Sequence, residues 1–486
     1  MKRLRPPTPF PRAGISRGTN SAKPGDTIIL EAGAVYVGPF TLPKKEGAEW
    51  ITIQGSAASE SLPAAGHRMT PEYAPLLPKL VSSGRNAPAL KTASGAHHYR
   101  FIGIEFAPAS DSVVLSTLIS LGEDESRQTS LDQVPHHLSF ERCYIHALPG
   151  TALKRGIALN SAHTDIIDSY LSDFKAKGQD AQAVCGWNGP GPFRLINNYL
   201  EGSGENVMFG GAKPGIQGLV PSDIEIRHNH FTKPLAWRGV WTVKNLFELK
   251  FARRVVVDGN LFEHNWEDAQ TGIAILLKVS NPGQSPWVAT EDIEFTNNVV
   301  RHAGGGISIL GHDYRNASEG VRRLRIANNL FEDIGGEWGA GRFLSVSEGA
   351  DDVVVDHNTI LQSGTLIIAD SDKVNNRFVW TNNLAPHNKY GVFGSSSGSG
   401  VHPRSMLIFP GPPFSKTFWQ EVAPACIRAG ITSLRIWMRS SLLTAPAATT
   451  SSPQTARISF LERTAETSAA TPTRLVWWQQ QLPGLQ

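Results

Sequence analysis

The sequence predicts an all-β protein whose chain winds into a solenoid of stacked parallel coils. One phrase returns seven times between residues 193 and 383: β-forming residues, a polar residue, Asn, and then apolar residues. The Asn stands at positions 198, 229, 260, 298, 329, 358 and 383, at intervals of 25 to 38 residues. A fixed residue at such intervals indicates a repeat architecture, and its β-branched flanks favour strands. One repeat cannot bury its apolar face alone, whereas stacked repeats can.

The repeated Asn also predicts how neighbouring coils are joined. If each repeat is one coil, the coils lie about 4.8 Å apart and the Asn side chains fall into one column. Each side-chain amide then donates a hydrogen bond to the next carbonyl, and Asn tolerates the left-handed backbone that a tight turn needs. Two earlier coils have Cys143 and Ser169 in the Asn position, so the ladder proper starts at Asn198.

The repeat resembles the right-handed parallel β-helix of the pectate-lyase-like superfamily over residues 26–395. The turn Pro24-Gly25-Asp26, which leads into a strand, is similar to the start of extracellular members of that superfamily. The resemblance implies a right-handed parallel β-helix, a polysaccharide partner and a secreted or periplasmic location. Residues 1–19 nevertheless lack the apolar segment of a signal peptide. A shared fold implies much less about activity than about architecture.

The composition of the 486 residues is ordinary for a soluble chain. A net charge of +3, from 46 basic and 43 acidic residues, does not point to nucleic acid. Because no run of 18 apolar residues exists, we expect no membrane span, and we expect a monomer. Cys143, Cys185 and Cys426 match no metal or disulfide spacing, which favours buried thiols. Adjacent histidines, His97-His98 and His136-His137, are expected to point to opposite strand faces and not to chelate one ion.

We divide the chain into an irregular N-terminal segment (1–25), a β-helix (26–400) and an irregular tail (401–486). The tail contains four Trp, no Asn and no strand–Asn–strand phrase. A disordered tail should be poor in aromatic residues. Shifted-frame codons are compatible with a strand phrase for 410–432, and with an amphipathic helix for 9–19 like the one that precedes the first coil in extracellular relatives. We therefore interpret both ends as translated out of frame.

After each Asn, the repeat continues through a loop of variable length into another strand, and these strands should form a second parallel sheet. They include residues 205–209, 246–250, 273–278, 306–310, 343–346 and 366–369. Because side chains alternate along a strand, Phe247 and Leu249 should point inward. Lys244, Glu248 and Lys250 should then point outward. Variable loops on one face of a repeat protein usually mark the binding side, and the longest here are 211–222 and 233–243.

On this outward face we predict a site for an acidic sugar. Lys250 is the first candidate for the catalytic base and Lys278 the second. The predicted substrate-binding residues are Lys244, Trp237, Arg238 and Asn206, and the predicted Ca²⁺ ligands are Glu205 and Glu248.

The resemblance to polysaccharide lyases implies the chemistry of this site. A cation neutralises the uronate carboxylate and thereby acidifies the C5 proton, which a Lys or Arg with a lowered pKa then removes. Crowding by other lysines is expected to lower the pKa of the base. Glu–Lys neighbours on parallel strands also commonly form surface pairs with no catalytic role. Asp356-His357 is similar to the Asp-His step of pectate lyases, but its place in the ladder register favours turn residues.

Three functions remain open at this point. We favour a lyase acting on uronate-containing glycan; the alternative is a non-catalytic β-helix that binds glycan or serves at the cell surface. A hydrolase is the third option, although no pair of carboxylates stands out for it. A lyase requires Lys250, Lys278 and a carboxylate around one sugar ring beneath a loop cleft. A binding module requires a flat aromatic strip instead.

Overall fold

Three parallel sheets run along the described chain and enclose one apolar core. The computed structural model describes residues 18–84, 86–369, 371, 373–388, 390–394 and 398–399. Within those residues, each coil up to residue 369 contributes one strand to each sheet, and the architecture is the predicted right-handed parallel β-helix. The same residues contain no helix with the length and apolar character needed to cross a membrane. The tail 401–486, with Cys426, and residues 1–17 lie outside the described part.

The strands follow chain order in every sheet, and each pairs in parallel with its neighbours except for β35 with β36. The first sheet comprises β1 (Thr27–Leu30), β4 (Ile51–Gly55), β7 (His97–Ile102), β10 (His136–Glu141), β13 (Ala162–Ile167), β16 (Phe193–Ile196), β19 (Ser222–Arg227), β22 (Ala252–Asp258), β25 (Ala289–Thr296), β28 (Gly320–Ala327), β31 (Asp351–Asp356) and β34 (Val379–Thr381). The second comprises β2 (Val35–Val37), β5 (Lys79–Ser82), β8 (Glu105–Pro108), β11 (Tyr144–His146), β14 (Tyr170–Phe174), β17 (Tyr199–Gly202), β20 (His230–Thr232), β23 (Leu261–Asn265), β26 (Val299–Ala303), β29 (Leu330–Ile334) and β32 (Thr359–Gln362). The third comprises β3 (Phe40–Leu42), β6 (Leu90–Thr92), β9 (Leu115–Leu121), β12 (Leu153–Leu159), β15 (Gln182–Gly186), β18 (Glu205–Phe209), β21 (Asn245–Leu249), β24 (Ile273–Lys278), β27 (Gly305–Leu310), β30 (Arg342–Ser347), β33 (Ile367–Ala369), β35 (Val392–Gly394) and β36 (Gly398–Ser399).

The repeat thus holds three strands where the sequence predicted two. The apolar residues after each Asn form a short strand of their own, and the predicted second sheet is the third in the structure. Short 3₁₀ helices occupy the loops, at Ser59–Ser61, Pro71–Leu76, Leu131–Gln133, Leu235–Trp237 and Gly336–Trp338. One helical turn at 18–21 precedes the first strand.

The predicted Asn ladder is confirmed. From Asn198 to Asn383, each side-chain amide donates to the side-chain oxygen of the next Asn, at distances of 2.8 to 3.1 Å. The same oxygen accepts the backbone N–H of the preceding Asn. Ser169 and Cys143 extend the column, since the Ser169 N–H donates to Asn198 and the Cys143 N–H donates to Ser169. Cys143 and Cys185 are buried free thiols, as predicted.

One detail of the ladder prediction is wrong. The left-handed residue of the turn is the one before the ladder position, and it is occupied by Arg142, Asp168, Asn197, His228, Gly259, Asn297, Asn328, His357 and Asn382, with φ between 49° and 67°. This placement leaves the ladder Asn free to point into the turn. It also accounts for His357, which is a turn residue bonded to Asp356 (2.6 Å), as the register predicted.

A second left-handed column lies near the start of the first-sheet strands and corrects the prediction for the paired histidines. Its members include His98, His137 and His163, with φ of 59°, 53° and 45°. A left-handed residue interrupts the side-chain alternation of a strand. His97 and His98 therefore lie side by side, with their Nδ1 atoms 2.8 Å apart, and the Nδ1 atoms of His136 and His137 are 2.7 Å apart.

These four residues, His97, His98, His136 and His137, are called the histidine array below. The rings of the two coils stack in register, with centroids 4.8 Å apart for His97 on His136 and 4.5 Å for His98 on His137. Burial, followed by the neighbouring imidazoles, lowers the pKa of His136 to about 4. That ring is therefore neutral at neutral pH.

Candidate functional site

Two lysines and one carboxylate converge on the outer side of the third sheet. Phe247 and Leu249 of β21 are buried in the core, which leaves Glu248 on the other face, as predicted. The Lys278 Nζ lies 2.9 Å from Glu248 Oε1, and the Lys250 Nζ lies 3.8 Å from the same oxygen. The sheet brings them together because β21 and β24 are neighbours, with Glu248 in register with Leu276. Lys278 is the last residue of β24, and Lys250 follows the end of β21.

Loops close around the two lysines and form a cleft of about 340 Å³. It is lined by Gly211, Lys250, Lys278, Ser280, Asn281, Pro282, Arg315 and Asn316, and is called the lysine cleft below. The loop walls are tied together, since Asp313 accepts the Asn281 N–H at 2.8 Å and the Asn316 side-chain amide donates to the Asn281 carbonyl at 2.9 Å. A basic cleft with fixed walls is suited to an anionic ligand.

Gly211 leaves the space that the Lys250 side chain occupies. A Cβ at position 211 would lie 2.9 Å from Lys250 Cδ, and φ at Gly211 is +90°, a conformation that L side chains rarely adopt. Glycine at this position therefore lets the long 211–222 loop pass over Lys250 without displacing it.

The electrostatic surroundings of Lys250 differ from the prediction. Burial alone would lower its pKa, but the carboxylates of Glu248, Glu205 and Asp180 outweigh that effect, so the net shift is upward. The expectation that neighbouring lysines lower this pKa is wrong, because carboxylates dominate the field at the ammonium. Lys250 is therefore a cation in the free protein at neutral pH.

Lys244 is outward-facing but is not among the residues that line the lysine cleft. Its ammonium is in direct contact with the Asp180 carboxylate, and its side chain is half-buried. Lys244 and Lys250 thus lie close to each other in sequence and both interact with Asp180, but only Lys250 lines the lysine cleft. That difference makes Lys244 a matched control for Lys250.

The predicted cation ligands Glu205 and Glu248 are both buried beneath the surface of the sheet. Burial, and then the charges of Glu248 and Asp180, raise the pKa of Glu205. Glu205 Oε2 accepts a hydrogen bond from the Gln182 amide at 2.7 Å. Other buried oxygens here accept none from the described residues: Glu205 Oε1, Glu248 Oε2, Gln182 Oε1 and Asn245 Oδ1. Carboxylate and amide oxygens are ligands that Ca²⁺ prefers. Glu248 is already paired with the ammonium groups of Lys278 and Lys250, however, and both carboxylates are buried, so this donor set does not suit a Ca²⁺ ion that acts on a substrate in the cleft.

Asn206 does not face the solvent, which corrects the prediction made from strict alternation. It is fully buried next to the equally buried Val207, and its amide donates to the carbonyls of Leu200 and Thr232 in the second sheet, at 2.7 and 2.8 Å. Its side-chain oxygen accepts from Lys233, whose ammonium is buried and also donates to three backbone carbonyls. Asn206 therefore joins two sheets at a corner of the coil, and is inaccessible to a glycan.

Trp237 is likewise unavailable for stacking on a sugar. It is 5% exposed and packs in an apolar cluster with Val243, Trp266 and Trp338. The exposed neighbour Arg238 pairs with Glu337 at 3.3 Å and lines a different cleft, together with Trp338. The prediction took the 233–243 loop as one surface, whereas its short 3₁₀ helix, Leu235–Trp237, turns the indole inward and leaves the neighbouring Arg238 outside.

Trp237→Ala is accordingly expected to destabilise the protein and to leave glycan binding unchanged. Removing an indole from a buried cluster should lower the free energy of unfolding by about 3 kcal/mol. Denaturant unfolding and glycan affinity measured on the same preparation would check this. If Trp237→Ala lost much of its glycan affinity while its stability was unaltered, Trp237 would be shown to contact the glycan.

Sequence reasoning missed the loop residues of the lysine cleft. Arg315, Asn281 and Asn316 lie outside strands, so no alternation pattern could place them. Tyr314 is 68% exposed and its ring lies 4.9 Å from the Arg315 guanidinium carbon, next to the cleft. A short polar and aromatic run, Asp313-Tyr314-Arg315-Asn316, within an otherwise regular repeat is the signal that could have found them.

Comparison with known proteins supports the fold and says nothing about the activity. No protein-family model and no curated protein matches the chain. Similar solved structures include an alginate lyase from Paenibacillus sp. str. FPU-7, at 12% identity and TM-score 0.36, covering 78% of this chain and 97% of that one. The GH87 α-1,3-glucanase catalytic unit from Streptomyces thermodiastaticus HF3-3 matches at 13% identity and TM-score 0.48, covering 82% and 66%. PfbA, a surface adhesin of Streptococcus pneumoniae, matches at 11% identity and TM-score 0.46, covering 76% and 86%. At such identities and scores, these likenesses do not bear on the activity of this chain.

Proposed function

We propose that this β-helix cleaves a uronate-containing polysaccharide by β-elimination in the lysine cleft. The observation that supports the proposal most is the convergence of Lys250 and Lys278 on Glu248 beneath a loop cleft that Arg315 also lines. Such a convergence is the feature expected from the sequence to separate a lyase from a binding module. The cationic groups suit a substrate that carries one carboxylate on every sugar.

Each group in the cleft has a role in this proposal. Lys278 and Arg315 bind and neutralise the uronate carboxylate, which stabilises the charge that develops when the C5 proton leaves. Lys250, in its neutral form, removes that proton; the C4–C5 double bond forms as the bond from C4 to the glycosidic oxygen breaks, and the leaving oxygen takes up a proton from solvent. Glu248 holds the two ammonium groups together.

The proposed base has a consequence for the pH dependence of the reaction. Since the pKa of Lys250 is raised in the free protein, only a small fraction of the side chain is neutral at neutral pH. We expect kcat/KM to rise about tenfold per pH unit below that pKa and to level off above it. Initial rates measured across the alkaline range on a pH-stable substrate would check this. A rate that is highest in weak acid would exclude Lys250 as the base.

A hydrolase is less well supported, although the structure brings two carboxylates together. Glu205 is fully buried and lies outside the lining of the lysine cleft, so it cannot reach a glycosidic oxygen there. The non-catalytic alternative is weakened by Trp237, because the expected aromatic strip loses this residue to the interior. Neither point depends on the similar structures.

A carboxyl-reduced substrate separates these functions. Elimination requires the uronate carboxylate, whereas hydrolysis of the glycosidic bond does not. We expect cleavage of a uronate polymer and no cleavage of the same polymer after its carboxylates have been reduced to alcohols. Products should be one water molecule lighter than hydrolysis products by mass spectrometry. Equal cleavage of both polymers would favour a hydrolase, and binding of the native polymer without cleavage would favour a non-catalytic module.

A further inference from the structure

The histidine array lies apart from the lysine cleft in the fold and plays no part in the proposed reaction. It belongs to the first sheet, whereas the lysine cleft is built on the third. His97 and His136 are register partners in β7 and β10, and His98 and His137 are the left-handed residues that follow them. All four rings are partly exposed, so an ion from solution could reach them.

The ring nitrogens come close enough together to share one ion. His98, His136 and His137 each offer a ligand atom, and these three atoms lie within 4.8 Å of one another. Three nitrogens bound to one tetrahedral ion at 2.0–2.1 Å would be roughly 3.4 Å apart. The Nδ1 pairs, at 2.7 and 2.8 Å, are slightly closer than that and need only small ring rotations to open. Each pair is now joined by one hydrogen bond between ring nitrogens, and a cation bound by His136 and His137 would replace the proton of theirs.

From this geometry we propose that His98, His136 and His137 form a binding site for one transition-metal ion of the Zn²⁺, Ni²⁺, Co²⁺ or Cu²⁺ class. The three nitrogen ligands come from two adjacent coils, and solvent completes the coordination.

The donor chemistry selects this class of metal. Imidazole nitrogen suits zinc, copper, nickel and cobalt, whereas Ca²⁺ and Mg²⁺ prefer oxygen ligands. The three ligand residues supply nitrogen only. Glu49 is the acidic group whose charge acts on His98, and it can offset part of the added positive charge. His163, on the next coil, stacks on His137 with centroids 4.5 Å apart but is not one of the three ligand residues.

A second cluster, Glu263 with His264 and His302, is a weaker candidate. Its carboxylate is already committed, since Glu263 accepts from Arg301 at 2.7 Å and lies 2.8 Å from His230 Nε2. His302 is bonded to Asp333 at 2.8 Å. A metal ion there would have to displace these partners, whereas the rings of the histidine array bond chiefly to one another.

The test is a metal titration of the untagged full-length protein after chelator treatment and dialysis. Co²⁺ is the probe, because its visible absorbance reports nitrogen coordination, and Zn²⁺ is then added to displace it. We expect one Co²⁺ to bind per chain, with a d–d absorption spectrum typical of an ion of low coordination number. One equivalent of Zn²⁺ should displace it. Bound Zn²⁺ should also raise the unfolding temperature, because the ion binds the folded chain preferentially.

The variants are chosen to keep the backbone. His98→Asn and His137→Asn retain a residue that tolerates the left-handed conformation, and His136→Gln replaces a residue in ordinary extended backbone. Loss of a group that only orients a metal ligand lowers metal affinity by roughly 10–100-fold. Each of these variants removes a ligand itself and should lower the Co²⁺ affinity by more than that. His163→Asn is the matched control, and should bind Co²⁺ with the stoichiometry and spectrum of the wild type.

Two results would overturn the proposal. One is the absence of saturable Co²⁺ binding by the folded wild-type protein, which would make the histidine array a purely hydrogen-bonded stack. The other is unchanged Co²⁺ binding by folded His136→Gln and by a folded variant that combines His98→Asn, His136→Gln and His137→Asn, which would place the ion elsewhere. Circular dichroism of each variant distinguishes loss of the site from loss of the fold.

Discussion

Lys250→Ala is expected to abolish eliminative cleavage while the protein remains folded. Loss of a general base typically lowers a rate by about 10²–10⁴-fold, and this variant also removes a charge from the lysine cleft, so we expect the larger value. The side chain is mostly buried at the surface of a rigid sheet, and it pairs with Glu248 at a long distance of 3.8 Å. Glu248 keeps its closer partner Lys278 at 2.9 Å in the variant, so the free energy of unfolding should fall moderately while the protein stays folded. Initial rates on a uronate polymer and denaturant unfolding would be measured on the same preparation.

Lys244→Ala provides the control for this experiment. It removes the same charge from the same part of the third sheet, but its ammonium contacts Asp180 and lies outside the cleft lining. We expect activity close to that of the wild type. Equal cleavage by Lys250→Ala and the wild type would show that Lys250 is not the base; equal loss in both lysine variants would point to a general effect of charge.

Asn260→Leu is expected to destabilise the protein by about 4 kcal/mol. Asn260 accepts from the backbone and side chain of Asn229, and donates to Asn298 and to the Ile226 carbonyl, at 2.9 to 3.0 Å. Leucine removes the acceptor of the Asn229 backbone N–H and the donor to the Ile226 carbonyl, whereas Asn298 Oδ1 still accepts the backbone N–H of residue 260 and the Asn229 amide still donates to the Leu195 carbonyl. Each buried group left unsatisfied costs about 1–3 kcal/mol, partly relieved by relaxation. Denaturant unfolding measures the loss directly.

Asn260→Ser gives a graded comparison at the same position. The chain already has a serine in this register, where the Ser169 Oγ accepts the Cys143 N–H at 3.0 Å. A serine at 260 should keep the backbone bond from Asn229 and lose the amide donor, so its cost should be clearly smaller than that of leucine. Equal unfolding midpoints for the wild type, Asn260→Ser and Asn260→Leu would show that the ladder hydrogen bonds do not contribute to stability as expected.

The sequence was sufficient for the fold because the signal repeats. Every ladder Asn must satisfy the same stacking geometry, so the same residue recurs at the same position in seven repeats. The second sheet escaped prediction because its strands, which follow the Asn directly, are only three to five residues long, too short for a periodic pattern. The left-handed columns escaped it as well, because His, Asp, Arg and Asn all occupy them and no residue type marks the positions.

The candidate site was predictable where strand alternation holds. Glu248, Lys250 and Lys278 were placed by counting from buried Phe247 and Leu249. Asn206 failed because the chain turns a corner at the start of β18, and two consecutive side chains, Asn206 and Val207, are buried there. Trp237 failed because an indole in a loop gains more from an apolar cluster than from solvent.

The most direct test of the proposed activity is the ultraviolet absorbance of the unsaturated product. The wild-type protein would be incubated at alkaline pH, with and without Ca²⁺, with a panel of uronate polymers that includes alginate, pectate and glycosaminoglycans. We expect the wild-type protein to give a steady rise in absorbance with at least one polymer, and Lys250→Ala to give no rise with that polymer. If the folded wild-type protein produces no rise with any polymer of the panel, although one of them binds, the lyase proposal is contradicted.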